Sequence, residues 1–278
     1  MDRSPLPGPL VIAPQVALPI LLSVPHSGRD YPGWLIDSAS GGQAALESLA
    51  DPLVDRLAWR ALALGVGGVI ATAPRAAVDC NRAADEIDPS VVANAAPATS
   101  PRARAGLGIV PGRTARHGHL WRHLMTQAEL ESRLDAAYVP YHRAIELALD
   151  RLAIAHGGAI LLDCHSMPPR RGQAQIVIGD RHGTTAAPTI TAAAAGIARA
   201  AGWTVALNSP YAGGHIVERH GQPGANIHAL QVEIDRGCYL APDGRSPGPG
   251  FERAARLLES LVTGLARELA DSLPLAAE

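Results

Sequence analysis

One stretch constrains this chain more than any other: Ala159-Ile160-Leu161-Leu162-Asp163-Cys164-His165-Ser166-Met167-Pro168. An apolar run ends abruptly in Asp-Cys-His-Ser and then proline. A run this short and this apolar reads as a buried strand of an α/β sheet, delivering polar side chains to its C-terminal end. In an open α/β sheet that edge is where ligands bind. Ile20-Leu21-Leu22-Ser23-Val24-Pro25-His26-Ser27-Gly28 has the same form. Two apolar strands that each end in His-Ser point to one site assembled from distant segments.

The rest of the chain supports such a sheet. Short apolar strands are expected at 68–73, 159–163, 176–180, 204–207 and 229–236. Helical spacing runs through 44–64, 120–155 (a helical pair), 189–201 and 251–273. This alternation predicts a mixed, mainly parallel sheet with helices on both faces. One domain over 1–278 is expected, with a loop and helical excursion at about 86–135 that is rich in Pro, Gly, Ala and Ser. Residues 1–18, with four prolines, read as an irregular arm or edge strand.

Composition removes several classes of function. All 24 basic residues are Arg, so a lysine nucleophile or Schiff base is excluded. The formal charge is -2 with both signs mixed along the chain, so nothing suggests a nucleic-acid partner. Cys80, Cys164 and Cys238 are far apart and form no CxxC pair, which fits buried free thiols rather than a disulfide framework or a thiolate metal site. The N-terminus has no signal-peptide pattern, and no 18-residue apolar stretch occurs, so a cytoplasmic protein without membrane contact is expected.

The strand ends supply His26, His165, Asp51, Glu233, Arg75 and Arg82. Two imidazoles and one carboxylate are a zinc ligand set that leaves a position for water. Bound zinc lowers the pKa of that water to about 7. A nearby carboxylate can then take the proton and hand it to a leaving amine. Guanidinium groups match a substrate carboxylate bidentately. Together these residues suit metal-assisted hydrolysis of a small anionic amide. Ser27 and Ser166 each follow a histidine, but no GxSxG elbow surrounds either. Asp51 has a simpler reading as the N-cap of a helix with Pro52 in its first turn. His117, His119 and His123 read as an exposed loop or helix start, and His142 as a helix-face histidine or a partner of a metal ligand.

Seven motifs in order carry a resemblance. They are Val24-Pro25-His26-Ser27-Gly28, Asp51 with Val54-Asp55-Arg56-Leu57, and Arg75 leading to Val78-Asp79-Cys80-Asn81-Arg82. Then come residues 162–168, Ile178-Gly179-Asp180-Arg181, Asn208-Ser209-Pro210-Tyr211-Ala212-Gly213-Gly214 and residues 228–236. Over roughly 20–240 the chain resembles the N-formylglutamate amidohydrolases. The resemblance implies a phosphorylase/hydrolase-like α/β fold related to zinc carboxypeptidases and aspartoacylase. It also implies one zinc per chain, with another divalent metal as the alternative. The implied ligands are His26, His165 and a carboxylate. Arg29 stands where the relatives carry a glutamate, so Asp51 is taken as the carboxylate and Asp55 as its reserve.

By the same resemblance Glu233 is general base and acid, and Arg75 polarises the scissile carbonyl. Asn81 and Arg82 grip a substrate carboxylate, and Tyr211, Gly213 and Gly214, with His215 and Arg236, close over the substrate. Asp163 is expected to orient a metal-bound histidine, and Asp79 to be structural. The implied reaction is hydrolysis of N-formyl-L-glutamate to formate and L-glutamate in histidine degradation. Two rivals stand beside it: hydrolysis of another N-acyl amino acid or small peptide, and non-catalytic binding of an acidic amino acid.

Overall fold

The computed structural model describes residues 4–98, 100–114 and 116–272. Its contacts group the chain into two units. One comprises the residues up to Leu10 with Pro25–Asp51 and Ile70–Ala144; the other comprises Val11–Val24, Pro52–Val69 and the chain from Ile145 onward.

The strands are β1 (Leu10–Ile12), β2 (Ile20–Val24), β3 (Gly67–Ile70), β4 (Arg113–Thr114), β5 (Gly118–His119), β6 (Ala159–Met167), β7 (Ile176–Gly179), β8 (Val205–Leu207) and β9 (Ile227–Asp235). Seven of them form one sheet in the order β1-β3-β2-β6-β9-β7-β8, and β4 and β5 form a separate antiparallel pair. β2, β6 and β9 are mutually parallel, β7 runs antiparallel to β9, and β8 is parallel to β7. The sheet is therefore mixed and mostly parallel, as the sequence predicts.

Every residue of β2, β6 and β9 is buried. This explains why their apolar runs are continuous rather than alternating. β6 and β9 pair over nine residues, from Ala159↔Ile227 to Met167↔Asp235. The polar residues Asp163, His165 and Ser166 thus lie within the strand, not beyond its end. Strand period then sends Asp163 and His165 to one face and Cys164 and Ser166 to the other.

The last helix runs Phe251–Ser272, and Leu273, expected as its final residue, lies outside the described residues. Its buried stripe includes Ala254, Leu258, Leu261, Leu265 and Leu269. That stripe packs on the helices Pro188–Ala200 and Trp59–Ala63 and on β6. Each fully buried leucine contributes roughly 1.5–3 kcal/mol.

Two helical expectations change. The predicted helix over 44–64 is broken into Gly42–Glu47, Val54–Leu57 and Trp59–Ala63. Leu53, in the left-handed region at φ 61°, takes the N-cap position expected for Asp51. The predicted helical pair over 120–155 is one run, Gln127–Arg133 and Val139–His156 joined by a π-helical segment, Leu134–Tyr138. Pro140 lacks an N–H and crowds the carbonyl four residues before it, and a wider turn at that place relieves the crowding.

In the loop-built unit, Arg133 is buried with its guanidinium 5.1 Å from the Trp34 ring centre and 5.3 Å from that of Trp121. Its Nη1 donates to the Ala77 carbonyl at 3.1 Å. Just past the π segment, His142 Nε2 meets the Cys80 carbonyl at 3.0 Å, and the Tyr138 hydroxyl donates to the Arg82 carbonyl at 3.1 Å. A carbonyl only accepts, so the proton of His142 is on Nε2. These bonds hold the backbone of residues 79–82 in place.

Candidate metal centre

His26 follows β2 by two residues, in a turn that requires glycine at position 28. A Cβ on Gly28 would collide with the carbonyl oxygen of Ala73. The ring of His26 is buried between two carboxylates. Nε2 is 2.8 Å from Asp79 Oδ1, and Nδ1 is 3.3 Å from Asp51 Oδ2. Asp51 is itself fixed from the backbone side, its N–H donating to the His26 carbonyl at 2.9 Å. The Ser27 hydroxyl adds a bond to the Asp51 carbonyl at 3.2 Å.

Asp79 is bonded through both of its oxygens. One oxygen also takes the Asn81 N–H at 2.8 Å, and the other takes Arg75 Nε–H at 2.9 Å. Burial alone would raise its pKa, but Arg75, His26 and Arg82 outweigh that and hold the carboxyl well below its ordinary range. Asp79 is therefore an anion that takes the Nε2 proton of His26. His26 Nδ1 and the Asp51 oxygen thus face one another, a pairing that a cation between them would suit.

His165 repeats this pattern from the sheet. Its Nε2 lies 2.7 Å from Asp163 Oδ2, two residues earlier on the same face of β6. The other Asp163 oxygen accepts the Ser23 hydroxyl at 2.7 Å, from the register partner of Asp163 on β2. In both histidines a carboxylate engages Nε2, which makes Nδ1 the nitrogen that could ligate a metal. His26, Asp51 and His165 are each buried, and each can offer one ligand atom to a metal ion. Two imidazoles and a carboxylate fit a zinc-type ion that keeps a position for water. Asp55, the reserve, stands in the first turn of the helix Val54–Leu57.

Glu233 is buried on β9 as the register partner of His165. Its Oε1 accepts from Gln231 Nε2 at 2.9 Å. Arg236 Nε donates to the Ser166 hydroxyl at 3.0 Å, so Ser166 is a partner of this arginine. Arg75 is one-fifth exposed and also reaches the Leu49 carbonyl at 3.4 Å. Arg82 directs Nε to the Leu107 carbonyl and Nη1 to the Asn81 carbonyl. Burial lowers its pKa from the usual guanidinium value. Tyr211 is half-buried, and Gly214 N–H donates to Gln231 Oε1 at 2.8 Å.

His117, His119 and His123 are exposed, as expected. Cys80 and Cys164 are buried free thiols and Cys238 is half-buried; burial pushes the Cys164 thiol far up. No helix among the described residues is long and apolar enough to cross a membrane. Sequence reasoning missed the bonds of Asp79 to His26 and Arg75 and that of Gln231 to Glu233. Only the strand period, which puts Gln231 on the face of Glu233, could have signalled the second.

Known proteins resemble the chain along most of its length. It is 31% identical over 266 residues to an N-formylglutamate deformylase of Pseudomonas aeruginosa, covering 92% of each. A deformylase of Pseudomonas putida is 28% identical over 235 residues, 81% of this chain and 83% of that one. Among solved structures, an N-formylglutamate amidohydrolase from Ralstonia eutropha JMP134 superposes with a TM-score of 0.87 at 30% identity, covering 96% of this chain and 99% of that one. The gene product Atu2144 from Agrobacterium tumefaciens shares the fold, with a TM-score of 0.67 at 20% identity over 93% of each chain. The family model described as N-formylglutamate amidohydrolase matches residues 18–240. That span carries both carboxylate-held histidines and Glu233, and the chain belongs to the N-formylglutamate amidohydrolase family.

Proposed function

We propose that this chain hydrolyses N-formyl-L-glutamate to formate and L-glutamate, as a cytoplasmic enzyme of histidine degradation. One divalent metal, zinc by ligand type, is held by His26, Asp51 and His165. The observation that carries the reading is the pairing of each histidine Nε2 with a carboxylate, Asp79 at 2.8 Å and Asp163 at 2.7 Å. Metal-ligating histidines almost always give their second ring nitrogen such a partner. The family membership adds the substrate.

The bound metal would supply Lewis acidity and a water acidic enough to react near neutral pH. The remaining work falls to side chains. Glu233 takes a proton from the attacking water as the new C–O bond forms, then delivers it to the glutamate nitrogen as the C–N bond breaks. Arg75, oriented by Asp79, faces the negative charge that develops on the formyl oxygen. Arg82, Asn81 and Arg236 hold the two substrate carboxylates, and the loop 211–214 covers them.

The test is formate release from N-formyl-L-glutamate by metal-replete and chelator-treated protein, with N-acetyl- and N-succinyl-L-glutamate as controls. Formate release that is lost on chelation and restored by zinc is expected. Release unaffected by complete metal removal defeats the metal assignment. Preference for acetate or succinate release defeats the substrate assignment.

A further inference from the structure

Gln231 lies two residues before Glu233 on β9, so both side chains leave the same face of the sheet. It is 4% exposed, and a buried amide is costly unless both its ends are satisfied. Gly214 N–H donates to Oε1 at 2.8 Å, and Nε2 donates to Glu233 Oε1 at 2.9 Å. Side-chain amides can often be turned over without changing their bonding. Here the orientation is forced. A backbone N–H only donates, so Oε1 must face Gly214, and Nε2 is what remains for Glu233.

A second observation explains how the loop reaches Gln231. The register partner of Gln231 on β7 is Gly179. A Cβ there would stand 2.6 Å from the Ala212 carbonyl carbon and 2.8 Å from the Gly213 nitrogen. The missing side chain is the space through which residues 212–214 cross to β9. The loop is held from β7 as well, with Arg181 N–H donating to the Ala212 carbonyl at 2.7 Å. Asn208, before the loop, donates to Asp180 Oδ1 at 2.7 Å.

We infer that Gln231 is a positioning residue that ties the carboxylate of Glu233 to the loop carrying Gly213 and Gly214, so that the base is aligned only when the loop is seated. This rests on the proposed role of Glu233. A plain packing role for Gln231 would cost stability and leave the kinetic constants of the folded protein alone. A coupling role splits by which end of the amide is altered. Gln231→Glu keeps an acceptor for Gly214 but, once ionised, has no hydrogen to give Glu233. Gln231→Met keeps the length and loses both bonds.

The experiment measures kcat and KM for formate release, metal content, and hydrogen exchange of a peptide containing Gly214. It uses the metal-loaded wild type and both variants. Gln231→Glu should lower kcat about 10- to 100-fold with KM and Gly214 exchange close to wild type. Gln231→Met should lower kcat similarly, raise KM and speed Gly214 exchange about 10-fold or more. Metal content should stay at the wild-type level in both. Unchanged kcat and KM in the folded fraction of either variant overturns the inference, as does Gly214 exchange that Gln231→Met does not alter. Should Gln231→Met not fold, Gln231→Glu alone decides by its kcat-against-KM split. A wild type that releases no formate defeats the proposed function instead, and Gly214 exchange still reports on the tie.

Discussion

Asp79 binds the ring of His26 at 2.8 Å through one oxygen and the guanidinium of Arg75 at 2.9 Å through the other. A single buried anion thus orients a metal-ligand candidate and the arginine assigned to the reacting carbonyl. An aspartate in a short loop motif reads as structural in the sequence, yet its position ties two elements of the proposed chemistry together. An amide in its place would present an NH₂ group to one of two donors. Asp79→Asn should therefore weaken metal binding roughly 10- to 100-fold. Competition against a chromogenic chelator measures this, and excess metal should restore part of the lost activity.

Glu233 is buried beside His165 on the neighbouring strand but is not among the three proposed ligands. Its removal should separate chemistry from metal binding. Glu233→Ala is expected to keep one metal per chain and lose roughly 10²- to 10⁴-fold in kcat. Turnover near wild type in a variant that is fully loaded by elemental analysis removes the assigned role.

Gly179→Ala tests the crossing of the loop over β7. The new methyl would press on the Ala212 backbone, which cannot yield as a flexible side chain could. A stability loss of about 1–3 kcal/mol is expected. Displacement of the loop should raise KM and, through Gln231, lower kcat as well, read from initial rates together with urea unfolding.

His220 gives the fold an acid-sensitive point away from this chemistry. Burial first, and then Arg219 and His215, depress its pKa to about 3. In the unfolded chain the ring titrates near its ordinary value of about 6.5. Between those two values the unfolded state binds a proton that the folded state refuses, so stability rises with pH across that window. The contribution is complete above about pH 6.5 and is lost as pH falls toward 3. At about pH 5 the loss from this one group is about 2 kcal/mol. Urea unfolding at about pH 7 and about pH 5 should show a difference that shrinks by about that amount in His220→Gln.

The strands were legible because burial on both faces writes itself as unbroken apolar runs. At the centre of the sheet Ile20, Leu21 and Leu22 lie against Ile160, Leu161 and Leu162. The two histidines were legible because each follows such a run. The break at 48–53 was not. Helical spacing registers Leu49, Leu53 and Leu57, but it carries no sign that Asp51 is bound to His26, 25 residues away. Asp79 was opaque for the same reason, since its partner lies 53 residues distant and neither sits on a regular element. Gln231 was half-legible: period two aligns it with Glu233, while the loop that fixes its amide arrives from another part of the chain.

The strand order has a consequence for how the protein comes to be made. β9 is the last of the sheet's strands in sequence, yet it lies between β6 and β7. A chain emerging from the ribosome can pair β2 with β6 and β7 with β8 early, but these two partial sheets have no shared edge until residues 227–235 arrive. The strand carrying Glu233 closes the gap between them. Such non-local closure is slow compared with helix formation. The proposed base thus enters its place in the same event that makes the sheet whole.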